Sequence, residues 1–386
     1  MSVVLLGSTS GSITLQEPAV AGSNTVNFGA NTGVAILDAN TPAFRNRIIN
    51  GGMVIDQRNA GASVTADGSF PVDRWKIVLG GGGALTAQRS TTAPNNFVNS
   101  LLFTVTTPDT SLGTSDEYSF RHAIEGFNVS DLGWGTASAQ PITLSFKVRS
   151  SLTGTFGGVI RNSASNRIYV FSYTITTANT FEDKSITIAG DTSGTWLTDS
   201  GIGLQLIFSL GAGSARVATA GSWGTDGAVQ GVTGQTQWIG TNGATFYITG
   251  VQLEKGSTAT SFDYRSYGTE LALCQRYYFA LNTENVGSNG SYFVGVNRGT
   301  SLQGHISPPQ PMRTAPSLTS SGTTTFFVQN GSSNLNCTTA ATIGSTTGGN
   351  QTIYIVSGTY SSYTVGYAGH MIDQSGASFL NFSAEL

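Results

Sequence analysis

Strict alternation of apolar and polar residues is the feature of this sequence that most limits its possible folds. In ITLSFKVRS, residues 142–150, every second residue from Ile142 to Val148 is apolar, and Thr143, Ser145, Lys147 and Arg149 alternate with them. The segment GIGLQLIFSL, residues 201–210, repeats the pattern. A period of two places one face of a β-strand on a core and the other face in water.

Further strand-like segments lie between residues 44 and 267. They include LLFTV (101–105), RIYVFSYTI (167–175), KSITIA (184–189) and FYITGVQLE (246–254). Around nine or ten such strands, separated by turn residues and without a long helix, predict a two-sheet sandwich of the jelly-roll type.

The composition favours the same fold class. Charged residues make up 10% of the 386-residue chain, and 50 residues are glycine. An average soluble domain has roughly 25% charged residues, and long solvated helices depend on them. Thr, Ser, Gly and Asn suit short strands and tight turns instead. We therefore predict an all-β protein.

The chain divides by pattern into three parts. Residues 1–43 form an extended arm with strand-like pieces at 12–16, 24–28 and 34–37, which bury too little apolar area to fold alone. The arm must therefore pack on a partner, on itself in an oligomer, or on the next domain. Residues 44–268 form the predicted jelly-roll sandwich, and residues 269–386 a second, sandwich-like β-rich domain.

The predicted strands of this last part are SYFVGV (291–296), TTFFVQ (324–329), QTIYIV (351–356), YTVGYAG (363–369) and SFLNFSAEL (378–386). A proline-rich segment, SPPQPMRTAP (307–316), is predicted to be a surface loop.

A dense stretch, SFDYRSYGTELALCQRYYFAL (261–281), joins the two β-rich parts. Its helical spacing predicts a short helical connector, with Thr269 as the N-cap. Packing between the domains is expected from Tyr264, Tyr267, Leu271, Cys274 and Tyr278. Cys274 lies on the apolar face without a neighbouring histidine, which favours a buried, inert thiol over a nucleophile.

The sequence contains no motif of an enzyme, a nucleotide site or a metal site. The histidines His122, His305 and His370 are far apart in the chain. A distant carboxylate pair such as Asp73 with Glu125 stays open, but no pattern favours it. We therefore predict no catalytic residue, no cofactor and no metal.

A net charge of −3 argues against a nucleic-acid partner. No stretch is apolar enough for membrane insertion.

Aromatic residues in polar loops are the candidates for carbohydrate binding. Flat rings stack on sugar rings while Asn, Asp and Gln bind the hydroxyl groups. The candidates are Tyr354, Tyr360, Tyr363 and Tyr367 near the C-terminal end, and Trp223 and Trp238, which flank a polar loop. The alternative is that these rings are core or intersubunit packing.

Two motifs resemble a known group of proteins. NRIINGGMVIDQRNAG (46–61) with FPVDRW (70–75), and ITGVQLEKGSTATSFDYRSYGTELALCQRYY (248–278), are similar to the start and the end of a domain of bacteriophage tail-fibre and virion structural proteins. NGG (50–52) and GVQLE (250–254) also resemble jelly-roll carbohydrate-binding modules, some of which hold a calcium ion at that edge. Asp56 and Glu254 are the calcium candidates in this sequence, but two carboxylates are too few for a site that needs six to eight oxygens.

The resemblance implies a homotrimeric tail fibre that binds a host cell-surface glycan or protein with its C-terminal part and other virion proteins with its arm. Such a protein is made in the host bacterial cytoplasm and located in the virion. Adhesion would be multivalent. Two alternatives stay open: a purely structural head-decoration or tail-adaptor protein, and a depolymerase of the host polysaccharide.

Overall fold

The computed structural model describes residues 2–6, 12–16, 45–282, 291–321, 326–330, 333–344, 351–361, 364–373 and 379–386. Contacts divide the chain into two compact units, residues 1–43 and 44–386. In the first unit β1 (Ser2–Leu6) pairs with β2 (Ser12–Gln16) in an antiparallel hairpin. The predicted strand SITLQ is β2, and the predicted pieces at 24–28 and 34–37 lie outside the described residues.

The second unit begins with a β-sandwich. Its strands are β3 (Trp75–Gly80), β4 (Ala84–Ser90), β5 (Ser100–Thr107), β6 (Glu117–Glu125), β7 (Ile142–Ser150), β8 (Gly154–Arg161), β9 (Ile168–Ile175), β10 (Glu182–Ile188), β11 (Ile202–Ala212), β12 (Val217–Ala218), β13 (Trp223–Gly224), β14 (Gly231–Val232) and β15 (Thr245–Lys255). Short 3-10 helices lie at Gly126–Asn128, Ser130–Leu132, Ser214–Arg216 and Trp238–Gly240.

Two antiparallel sheets face each other. The five-stranded sheet has the order β10-β7-β15-β5-β4, and the six-stranded sheet has the order β13-β9-β8-β11-β6-β3. Aromatic rings fill the space between them: the Phe120 ring stacks on Phe103 at 4.7 Å and on Phe208 at 5.0 Å between centroids. The inward apolar residues of the alternating segments are buried in this core except for the half-buried Ile202: Ile142, Leu144, Phe146, Val148, Leu204, Leu206, Phe208 and Leu210. The predicted all-β fold with a two-sheet sandwich is confirmed.

The outer surface of the six-stranded sheet is covered over strands β8, β9 and β11. Its outward side chains Val159, Val170 and Ile207 are buried against Val229 and Val232 from the segment that carries β14. We call this surface the capped face. It forms a small second core outside the sandwich.

A short helix, α1 (Tyr267–Gln275), follows the sandwich, as predicted for the connector. It begins earlier than predicted, because the hydroxyl of Ser266 accepts the hydrogen bond from the backbone N–H of Thr269. Ser266 is therefore the N-cap, and the prediction of Thr269 in that role is wrong. Glu270 is buried, and its carboxylate accepts a hydrogen bond from the backbone N–H of Asn50.

The connector packs as a small apolar cluster. Cys274 and Tyr277 are fully buried against Ile49 and Ile55, and Leu271 packs against them. Burial raises the pKa of the Cys274 thiol well above its usual value, and the nearby carboxylates of Asp73 and Glu270 act in the same direction. The thiol is therefore protonated and inert, as the sequence indicates.

The other connector residues have mixed environments. Tyr278 is buried, whereas Tyr264 is 59% and Tyr267 is 64% exposed. Tyr264 lies at the sandwich edge, where its hydroxyl donates a hydrogen bond of 2.5 Å to the carbonyl of Asn96. Tyr267 is the first residue of α1, and most of its ring is exposed, so little of it is available for the expected packing between the domains.

The C-terminal part contains β16 (Tyr278–Asn282), β17 (Ser291–Asn297), β18 (Leu302–Ile306), β19 (Ser317–Ser320), β20 (Phe326–Asn330), β21 (Ser333–Asn336), β22 (Thr342–Ile343), β23 (Ile353–Val356), β24 (Ala368–Asp373) and β25 (Phe379–Ser383). They form a three-stranded sheet, β16-β25-β19, and a seven-stranded sheet, β21-β20-β24-β17-β18-β23-β22. The predicted strand at 363–369 is displaced: β24 starts at Ala368, because Gly366 has a φ of +91° in the turn before it.

Ion pairs attach this C-terminal part to the sandwich. The guanidinium of Arg276 binds the Glu125 carboxylate through Nε at 2.9 Å and Nη2 at 2.5 Å, and the Tyr277 hydroxyl donates to the same carboxylate at 2.8 Å. Near the C-terminal end, Glu385 binds Arg58 and Arg74 of the sandwich. These contacts join the two parts directly.

Candidate functional site

Two of the six aromatic residues predicted to bind carbohydrate are buried. Trp238 is 0% exposed and lies in the sandwich core, 6.4 Å from Phe246 between ring centroids. Tyr360 is 4% exposed, and its hydroxyl binds the side chain of Asn297. A ring that is covered on both faces cannot stack on a sugar, so these two residues are not surface sites.

The other candidates differ in exposure. Trp223 is partly buried and packs edge-on against Trp134 and Trp196, at 5.3 and 5.6 Å. Tyr354 is partly buried, and its hydroxyl donates to Gln303 at 2.6 Å. Tyr367 is 61% exposed. Tyr363 lies outside the described residues.

The two calcium candidates are occupied by local hydrogen bonds. Asp56 accepts from the backbone N–H groups of Asn59 at 2.9 Å and Gly61 at 2.7 Å. Glu254 accepts from the backbone and the hydroxyl of Thr260 at 2.8 and 2.7 Å. Each carboxylate therefore holds its own loop. Within the described ranges, no group of three or more His, Cys, Asp or Glu side chains could hold a metal ion.

Asp73 and Glu125, the carboxylate pair that the sequence left open, are both bound by neighbouring side chains. Asp73 is buried and binds Gln57 Nε2 at 2.5 Å and Arg58 at 3.2 Å. Burial raises its pKa, although Arg58 and the hydrogen bonds from Gln57 act in the opposite direction. Glu125 holds Arg276 and Tyr277. Both carboxylates belong to the attachment of the C-terminal part.

The outer surface of the five-stranded sheet presents polar side chains and has no second core on it among the residues that the structure describes. We call this surface the open face. Its outward residues are Leu102 and Thr104 of β5, Ser145, Lys147 and Arg149 of β7, Asp183 and Ser185 of β10, and Tyr247 and Thr249 of β15. A groove of about 310 Å³ crosses it. We treat this groove as the candidate site.

Aromatic residues from two loops form one wall of the groove. Phe97 and Phe262 lie 5.0 Å apart between ring centroids, and Tyr264 lies 4.8 Å from Phe262. Phe97 rests on Gly250, which has a φ of +62° in a β-bulge of β15. A Cβ atom at Gly250 would lie 2.7 Å from Phe97 Cζ. The bulge therefore requires glycine for both its backbone and its contact.

Polar side chains form the other wall. Lys147 Nζ binds Asp183 Oδ1 at 2.5 Å, and Ser145 and Ser185 line the groove beside them. At the start of β10, Glu182 binds Lys184 at 2.6 Å. Burial would raise the pKa of Glu182, but hydrogen bonds from Lys184, Thr177 and Thr176 outweigh it and lower the pKa to about 2.

Beyond the groove, Arg149 lies against two rings on the same face. Its guanidinium carbon is 4.8 Å from the centroid of Tyr247, which is its partner across the strand pair, and 6.0 Å from that of Phe181. The open face thus combines apolar ring surfaces with hydrogen-bond donors and acceptors. This chemistry suits the binding of a polar ligand with apolar faces, such as a sugar.

A larger groove of about 560 Å³ lies beside the connector, lined by Arg58, Arg89, Tyr267 and Phe279 among others. Its charged residue Arg58 already forms ion pairs with Asp73 and Glu385.

No helix in the described part of the chain is long and apolar enough to cross a membrane.

Sequence reasoning identified part of the open face. The alternation in 142–150 placed Lys147 and Arg149 on the outward side of the strand but did not nominate them as ligand contacts. Phe97 and Phe262 were missed as groove residues, because they come from loops far apart in the chain. The only signal for them is an aromatic residue flanked by turn residues.

No family model matches the sequence, and no curated protein matches it. Among solved structures, the chain is similar to the enzymatically active domain of tailspike protein 4 of bacteriophage CBA120, at 13% identity and a TM-score of 0.30, over 55% of this chain and 22% of that one. It is similar to the family 11 carbohydrate-binding module of Clostridium thermocellum, at 14% identity and a TM-score of 0.27, over 52% of this chain and 100% of the module.

A third similar structure is the N-terminal CBM22-1–CBM22-2 tandem domain of Paenibacillus barcinonensis Xyn10C, at 9% identity and a TM-score of 0.25, over 85% of this chain and 99% of the tandem. The chain therefore spans about a fifth of the tailspike structure and nearly all of the two binding-module structures. Identities and TM-scores this low assign neither a family nor a function. The solved structures that this chain resembles are carbohydrate-binding modules and a phage tailspike domain.

Proposed function

We propose that this protein is a non-enzymatic bacteriophage virion protein, a tail fibre that attaches to the host by binding a surface glycan in the open-face groove. The observation that carries the proposal is the groove itself, which is lined by Phe97 and Phe262 and by the Lys147–Asp183 pair on the open face. The sequence motifs at 46–75 and 248–278, which resemble tail-fibre and virion structural proteins, support the virion location.

A groove of about 310 Å³ is at the low end of ligand-site volumes and implies weak binding at each site. A dissociation constant of about 1 mM corresponds to only about −4 kcal/mol. Linking several sites in one assembly raises the avidity by about 10²–10⁴ without new contacts. We therefore propose a homotrimer that binds other virion proteins through residues 1–43 and is made in the host cytoplasm before assembly.

The test is binding of the full-length protein to a printed array of bacterial surface polysaccharides. Phe262→Ala removes one ring of the aromatic wall and should weaken binding about tenfold or more, since stacking and apolar contacts at a sugar site depend on it. Tyr367→Ala removes an exposed tyrosine ring of the C-terminal part and should leave binding unchanged.

Each other outcome favours a different function. Loss of binding with Tyr367→Ala alone would move the site to the C-terminal part, and no binding by the wild-type protein would favour a purely structural virion component. Release of reducing ends from a bound polysaccharide would show a depolymerase. Antibody labelling of virions at the capsid rather than the tail would contradict the tail-fibre assignment.

A further inference from the structure

Arg149 is a cation on the open face that the described part of the protein does not neutralise. Its contacts are the two rings of Tyr247 and Phe181. Its Nε is buried, and the guanidinium forms no hydrogen bond or ion pair with any residue that the structure describes. A guanidinium that lies against aromatic rings has lost part of its hydration and gains from an anionic partner.

The acidic side chains of the strands near Arg149 already have hydrogen-bond or ion-pair partners. Asp183 binds Lys147 at 2.5 Å, and Glu182 binds Lys184 at 2.6 Å. Further along the face, Glu254 accepts hydrogen bonds from Thr260. Each of these carboxylates has a partner that it would lose by turning to Arg149, so the anion must come from outside these residues.

Arg149 and the groove share one strand face. Lys147, which lines the groove, and Arg149 are two positions apart on β7, and their side chains leave the sheet on the same side. Two strand residues span about 7 Å. A saccharide that lies in the groove can therefore place a substituent of the same or the adjacent sugar at Arg149.

We infer that the glycan is acidic and that Arg149 binds its carboxylate. This inference rests on the proposed function of the groove. The planar guanidinium matches a carboxylate with two parallel hydrogen bonds, which is stronger and more directional than a contact with a neutral hydroxyl. A sulfate group offers similar oxygens, so the test must separate the two.

The experiment uses the full-length protein and three forms of probe on one array: uronic-acid-containing bacterial polysaccharides, the same polysaccharides after chemical reduction of their carboxyl groups, and sulfated neutral polysaccharides. We expect binding to the first set to fall about 10- to 100-fold after carboxyl reduction. Arg149→Gln should weaken binding to the unreduced set by a similar factor and leave binding to the reduced set unchanged.

Two further variants control the test. Arg149→Lys keeps the charge but removes the planar fork, so it should recover only part of the affinity. Arg298→Gln makes the same change at an exposed arginine of the C-terminal part and should have no effect. Unfolding curves show whether each variant is folded.

The outcomes separate this inference from the proposed function. Binding to neutral polysaccharides that Phe262→Ala abolishes and Arg149→Gln spares would overturn the acidic ligand and keep the groove. Preference for the sulfated set would overturn the carboxylate. Absence of binding to every probe would contradict the glycan-binding function and this inference with it.

Discussion

The two outer faces of the sandwich start from the same strand alternation and end in opposite states. On the capped face the outward residues Val159, Val170 and Ile207 are apolar, and Val229 and Val232 cover them. On the open face the outward residues of the neighbouring sheet include Ser145, Lys147, Asp183 and Tyr247, and a groove takes the place of a cover. One face adds to the core, and the other is available to a ligand.

The outward residues of the alternating strands therefore determine which face of the sandwich stays accessible to a ligand. Apolar outward residues call for a covering segment, because each buried CH₂ group contributes about 0.8 kcal/mol. Polar outward residues gain little from a cover, so the sheet stays accessible. Ligand binding on the open face would therefore cost the fold little stability. Substitutions on the capped face should mainly lower stability, and substitutions on the open face should mainly affect binding.

The largest expected difference comes from matched truncations. Ile207→Ala on the capped face should lower the free energy of unfolding by about 2–4 kcal/mol, because Ile207 is fully buried in the second core. Leu102→Ala deletes the same number of carbon atoms on the open face, where Leu102 is only partly buried, and should cost about 1 kcal/mol or less. Urea unfolding of both variants measures the difference, and equal losses would remove the distinction between the faces.

The next effect concerns the bulge below the aromatic wall. Gly250→Ala should destabilise the protein by about 1–2 kcal/mol and weaken polysaccharide binding. The new methyl group would clash with the Phe97 ring and displace it from the groove wall. Gly243→Ala is the matched control: Gly243 has a φ of +69°, and no described atom lies within 4 Å of the place that an added Cβ would take. It should show the backbone strain alone and bind normally. If both variants bind equally well, Phe97 has no part in the site.

A smaller effect on stability is expected from the ion pair of the groove. Lys147 is 29% and Asp183 is 77% exposed, so their coupling in a double-mutant cycle should be about 0.2–1 kcal/mol. Asp183→Asn should nevertheless weaken polysaccharide binding, since it changes an acceptor at the groove. A coupling well above 1 kcal/mol would show that the pair serves the fold rather than the ligand.

The sequence predicts the sandwich well because strand alternation is local. The segment 142–150 identifies both the core face and the outward position of Lys147 and Arg149. The groove depends on contacts between residues that are far apart in the sequence, which alternation does not predict. Phe97 packs against Gly250 in the bulge and contacts Phe262. The prediction of Trp238 as a surface ring is wrong for a related reason. Its segment is polar, but the short 3-10 helix that it begins places its side chain in the core.

The smallest expected effect is a pH dependence at the start of β10, the edge strand of the five-stranded sheet. The pKa of Glu182 is lowered from 4.5 to about 2 in the folded protein. A carboxylate with a lowered pKa stabilises the fold at pH values above about 4.5, and this contribution is lost as the pH falls towards about 2. Glu182→Gln should therefore flatten the fall in unfolding free energy over this interval, by under about 1 kcal/mol for a surface pair. Lys184→Gln should flatten it only in part, because the donors of Thr176 and Thr177 remain. Denaturant unfolding at several pH values between about 2 and 6 measures the slopes. A Glu182→Gln slope identical to that of the wild type would show that these hydrogen bonds do not stabilise the start of β10.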